Sequence, residues 1–110
     1  MTAETAMALP VLVAVTIGLV WLLSVGLAQV RVVDAARETA RAAARGDDAG
    51  GALEIGRRVA PPGASVDLGV GGDEVRAVVT APVVGPGGVF GFLPTVQVRA
   101  EAVTVPEARP

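Results

Sequence analysis

The sequence has no cysteine, histidine, lysine or tyrosine. Without cysteine there are no disulfides, zinc ribbons or thiol nucleophiles, and redox logic says nothing about compartment. Without histidine the usual general base and commonest metal ligand are missing, so nucleophilic triads and imidazole metal sites cannot be assembled from this chain. An enzyme would have to run on carboxylates, serine, threonine and arginine. Aromatics are scarce at 3%, one Trp and two Phe, so a soluble core must be packed from Val, Ala and Leu with few large anchors. An excess of one charge is lacking too. Nine arginines stand against eleven acids for a net charge of -2, too balanced for a polyanion binder, so no nucleic-acid partner is expected.

What the chain has in plenty is apolar surface, and residues 6–28 run for 23 positions without a charge. As a helix that stretch is about 34 Å long, enough to cross a hydrocarbon layer of about 30 Å. Every face of it is apolar, whereas a soluble helix shows a polar face at 3.6-residue spacing. The stretch therefore reads as a membrane-spanning helix. A cleaved secretory signal is one competing reading, with Gly26, Leu27 and Ala28 as its cleavage site. Against it, residues 1–5 hold Glu4 and no basic residue, and the run exceeds the roughly 7 to 15 residues of a signal core. A buried core helix is the other, and a chain of 110 residues has little with which to enclose one. Trp21 lies well inside the span and reads as a packing residue, not an interfacial anchor.

Polarity rises at Gln29, yet the helical pattern continues. Arg31, Asp34, Glu38, Arg41 and Arg45 fall three or four apart, so opposite charges meet along one face. Val30, Val33, Ala36, Ala40 and Ala43 trace an apolar stripe beside it. Gly46, with Asp47, Asp48, Gly50 and Gly51 after it, supplies a stop. One helix over about residues 5–45 is expected. Residues 52–60 suggest two further turns, ended by Pro61, Pro62 and Gly63. Residues 65–70 and 74–80 alternate as strands around a turn at Gly71, Gly72 and Asp73. A long connection rich in proline and glycine, carrying Pro82, Phe90 and Phe92, leads to a last strand over 95–104. There Val96, Val98, Ala100 and Ala102 share one face. The expected class is α+β: a long N-terminal transmembrane helix, then a small antiparallel sheet of about three strands. The chain divides into a short N-terminal segment (1–5), the span (6–28), a charged helical extension (29–46), a small strand-rich domain (47–105) and a tail (106–110).

No constellation carries catalysis. Asp67, Asp73 and Glu74 could be imagined as an acid/base pair or as calcium ligands, but the glycines at 69, 71 and 72 make them a solvated hairpin tip. The glycine-rich stretches at 69–72 and 85–88 lack the strand-loop-helix context that cradles phosphate. No enzyme activity, cofactor, metal or small-molecule substrate is expected. Within the span, Ala14, Gly18, Ser24 and Gly26 would let another helix approach closely, although isolated small residues are also ordinary background in membrane helices. Pro10 falls in the first turns, where losing an amide donor costs least. Glu4 precedes the apolar helix at its positive dipole end. It either stabilises the first turn or pairs with the amino group of a neighbouring subunit as helices line up.

The run Thr2, Ala3, Glu4, Thr5, Ala6, Met7, Ala8, Leu9, Pro10, then an uninterrupted apolar helix, then Asp34, Ala35, Ala36, Arg37 and Glu38 in an Ala/Arg-rich helix, then short strands, resembles the TadE-like family. These are minor pilins, or pseudopilins, of tight-adherence type IV pilus systems, here in an actinobacterial form. The likeness is best over residues 2–46. It implies a membrane-resident subunit whose helix packs into or beneath a filament and whose small domain faces outward. The partners it implies are the membrane, the major pilin, a TadF-like protein, an inner-membrane platform and a cytoplasmic ATPase. Glu4 would take the place of the acidic residue near the mature N-terminus. Members of the family are cut after a Gly ahead of that Glu, and no Gly precedes Glu4 in this sequence, which leaves leader removal open. Orientation is contested as well. Arg31, Arg37, Arg41 and Arg45 follow the span and no basic residue precedes it, which favours a cytoplasmic C-terminus; the resemblance implies an extracytoplasmic one. The rival to a pilin subunit is thus a single-pass adaptor or regulatory subunit of another complex with its C-terminus in the cytoplasm.

Overall fold

The long helix, α1 (Ala3–Ala44), opens and closes by local chemistry. Thr2 is its N-cap, and the Thr2 hydroxyl oxygen accepts a hydrogen bond from the Thr5 amide at 3.3 Å, satisfying one orphan donor of the first turn. Gly46 ends it at a φ of 104°. The Gly46 amide donates to the Ala43 carbonyl and the Asp47 amide to the Ala42 carbonyl, the paired bonds of a Schellman stop. Forty-two residues at the helical rise make α1 about 63 Å long. It dominates a molecule measuring 77 × 20 × 18 Å.

The computed structural model describes residues 2–85 and 94–106, and the architecture is α+β as expected. After α1 come α2 (Ala49–Val59), β1 (Ser65–Gly71), β2 (Glu74–Val83) and β3 (Val96–Thr104). The strands form an antiparallel meander in the order β1-β2-β3. β1 and β2 are joined through Gly72 and Asp73, with Gly72 at a φ of 58°, a backbone state in which glycine carries no Cβ penalty. The connection holding Phe90 and Phe92 lies largely outside the described residues, as does the tail beyond Pro106.

Two elements differ from expectation. Helix α2 starts at Ala49, three residues early, because the Asp48 carboxylate caps it by accepting from the Gly51 amide at 3.1 Å; Gly50 and Gly51 are helical, not loop. Strand β2 continues through Pro82 to Val83. β1 begins at Ser65 opposite Thr80, so by Pro82 the central strand has become an edge, where a residue without an N–H is tolerated.

The core lies between the inner face of the sheet, α2 and the C-terminal half of α1. Its fully or nearly buried apolar members are all valines and alanines, Val32, Val66, Val79, Val98, Ala35 and Ala36 among them; the expected leucines reach only partial burial, as at Leu53. The buried stripe on α1 runs Ala28, Val32, Ala35, Ala36, Thr39, Ala40 and Ala42. It shares Ala36 and Ala40 with the expected stripe but is rotated, leaving Val30 57% exposed. The rotation follows from a close approach. A Cβ on Gly56 of α2 would fall 2.0 Å from the Thr39 hydroxyl, so α2 touches α1 where small residues permit it. Thr39 is itself fully buried, its hydroxyl donating to the Ala35 carbonyl at 2.7 Å.

Candidate functional site

No residue of α1 between positions 3 and 27 is buried. Met7, Leu12, Leu19 and Leu23 are each more than half exposed; at about 100° per residue the three leucines share one side of the axis and Met7 lies more than about 100° away from them. Two of the three hydroxyls within this stretch turn back on the helix: Thr16 donates to the Leu12 carbonyl at 2.8 Å and Ser24 to the Val20 carbonyl at 2.9 Å. Such internal satisfaction is what hydrocarbon surroundings demand. Pro10 sits two turns inside the helix, deeper than its sequence context suggests, and removes the bond to the Ala6 carbonyl without ending α1.

Glu4 occupies the first turn, exposed, beside the free amides and the positive end of the helix. No ion pair among the described residues includes it. Of the four small residues, Ala14 and Gly18 lie one turn apart on one face. Gly26 is rotated by about 80° from Gly18, and Ser24 by about 120° the other way. They do not form a single seam. A Cβ at Gly18 or Gly26 would meet nothing within 4 Å, so both glycines leave open notches in the surface.

Trp21 is half-buried, and its indole N–H is shielded from solvent without a hydrogen-bond partner among the described residues. It stands on the same side of α1 as Val25, Ala28 and Val32, by spacings of four, three and four. The small domain reaches down this side. Ser24, Leu27 and Ala28 line a cleft of about 320 Å³ with Pro61, Pro82 and Val83. Packing thus begins inside the uncharged run, one turn below Ala28, a boundary that hydropathy alone does not show.

On the outer face of the sheet, Arg76 pairs with Glu101 and, at 3.7 Å, with Glu74, while Arg99 pairs with Glu101 at 3.1 Å. Nearer the apolar run, the Gln29 amide donates to the Arg99 carbonyl at 3.3 Å and ties α1 to β3. The acidic residues at the hairpin are not a site. Glu74 is engaged by Arg76 and faces Gly71 across the ladder, whereas Asp67 is about 13 Å farther along β1. No group of three or more acidic side chains is placed to hold a metal ion among the described residues.

These features define a class: a protein built on one helix that is long and apolar enough to cross a membrane, with a small α+β domain packed on the helix's far half. Residues 1–41 match the family described as TadE-like protein. The match is carried by that helix and covers 41 of the 110 residues, a TadE-like segment of the kind that marks pilus-associated membrane proteins. The chain is also similar to a protein of Mycobacterium tuberculosis named as an apoptosis inhibitor, with 43% identity over 79 residues, covering 72% of this chain and 57% of that protein. The chain thus spans a little over half the length of that relative. No solved structure matches it.

Proposed function

We propose that the protein is a TadE-like minor pilin, a pseudopilin, which serves assembly of a tight-adherence pilus by lateral helix packing and performs no catalysis. The observation that carries this reading is the division of α1. Its apolar half, opening at Glu4, buries no residue through position 27 among the described residues and meets the small domain only in its last turns, while its other half is sheathed by that domain. Lipid and neighbouring helices supply what the chain itself does not. In this reading the span occupies residues 6–28 and the domain faces away from the cytoplasm. Ala14 and Gly18 form one close-approach notch, and Glu4 meets the amino group of an adjacent subunit. Its partners are the major pilin, a TadF-like protein and the inner-membrane platform. Pairing is required because an uncompensated carboxylate entering lipid is costly.

Glu4→Ala tests it. Pilus assembly, scored by electron microscopy of sheared filaments, should fall strongly while the protein still fractionates with membranes; normal piliation would sink the pairing role. Mass spectrometry of the N-terminus in membranes shows in the same preparation where Glu4 stands in the mature chain.

A second reading, a single-pass adaptor with a cytoplasmic C-terminus, is favoured by Arg31, Arg37, Arg41 and Arg45, all exposed just beyond the span. Alkaline phosphatase fused after Pro110 separates the two: an active fusion supports the pilin, an inactive one the adaptor. The relative's name describes a cellular outcome and not a molecular contact, and both readings accommodate it.

A further inference from the structure

The base of the small domain carries a surface that lateral helix packing does not use. The end of α2 and the end of β2 bring Pro61, Pro62, Pro82 and Val84 against α1 beside Leu27. Val84 is 64% exposed and Pro62 is exposed, so this collar offers apolar surface at the level where the uncharged run ends. Next to it lies a second depression, of about 490 Å³, which Arg31 and Arg57 line together with Pro61, Pro62 and Gly63. The ion pairs among the described residues engage Arg41, Arg45, Arg58, Arg76 and Arg99. Arg31 and Arg57 take part in none of them.

We propose that this collar seats the headgroup of an anionic phospholipid. The lipid phosphate accepts hydrogen bonds from the Arg31 and Arg57 guanidinium groups, and the adjoining acyl segment lies along Leu27 and the prolines. Arg31 is three residues past Ala28, about 4.5 Å farther along the axis, which sets its guanidinium in the headgroup layer once the preceding run fills the hydrocarbon. The guanidinium fork matches phosphate geometry, and basic side chains near a bilayer surface favour anionic lipid. The two halves of the site also argue against simpler occupants. A free anion has no use for the collar, and a neutral lipid has none for two unpaired arginines. The proposal rests on the reading that the apolar half of α1 lies in lipid.

The test uses the full chain reconstituted in phosphatidylcholine bilayers with and without phosphatidylglycerol, then released for native mass spectrometry. Phosphatidylglycerol should be retained in preference to phosphatidylcholine. Arg31→Gln and Arg57→Gln should each lower that retention roughly fivefold, and Arg58→Gln, which removes a partner of Glu54, should leave it unchanged. On the unaltered chain, inorganic phosphate should fail to displace the lipid. Displacement by phosphate would assign the site to a free anion and overturn the proposal, as would equal retention of the two lipids by an inserted chain. A chain that stayed out of every bilayer would overturn the membrane reading and this proposal together.

Discussion

Along residues 3–27, α1 buries no residue and turns its leucines and every valine but Val25 outward; along residues 28–44 it buries alanines, one valine and a threonine and turns its charges outward. The large apolar side chains are thus outside the fold and the small ones inside it. What separates the two halves is size as much as polarity. Bulky residues in the first half gain from lipid, where no close approach is required. In the second half, small residues let α2 and the sheet come near enough for dense packing, with the absent side chain of Gly56 meeting Thr39 at the tightest point. Backbone bonds that cannot be exchanged for water bonds hold the first half in lipid, and tertiary contact holds the second.

The contrast can be broken most sharply in the first half. Leu19→Arg places a charge near the middle of the exposed run and should cost about 2.5 to 3.5 kcal/mol of insertion, read as loss of membrane-integrated protein in a translocation assay; the same residue placed at exposed Gln97 should leave insertion intact. In the second half, Gly56→Ala should overpack the α1–α2 contact and destabilise the domain by about 1 to 3 kcal/mol. Much of that loss should return in the Thr39→Ala background, because the blocking hydroxyl is then gone; thermal unfolding of the four proteins of this cycle measures the coupling. The smallest effect belongs to the outer face. Glu101→Gln loosens a solvent-exposed cluster with Arg76 and Arg99 and should change stability by under about 1 kcal/mol, and less still at high salt.

How much of this was legible depended on whether a feature was local. The long apolar helix, the stop at Gly46, the meander and the inward face of β3 follow from periodicity and turn residues, and each stands where the pattern puts it. The phase of the buried stripe did not follow. Valine outweighs alanine in any hydropathy count, so Val30 and Val33 draw the stripe toward themselves, whereas the fold selects Ala35, Thr39 and Ala42 for their small size beside α2. Gly50 and Gly51 read as breakers from composition, because the bond from the Gly51 amide to the Asp48 carboxylate that starts α2 ahead of them is a matter of geometry. Pro82 read as connection because the length of β1, which decides where β2 becomes an edge, is a tertiary fact. At the candidate site, the sequence located Glu4 and the small residues, but not that Ser24 and Gly26 face away from one another or that the domain overlaps the last turn of the uncharged run.

The division of α1 is tested most directly by cysteine labelling, since the chain has no cysteine of its own. Single substitutions Leu12→Cys, Leu19→Cys, Val30→Cys and Arg41→Cys would be exposed to a membrane-impermeant maleimide in membranes opened so that both faces are accessible. Positions 30 and 41 should label while 12 and 19 stay protected until detergent is added. Equal labelling of all four in intact bilayers would contradict the account.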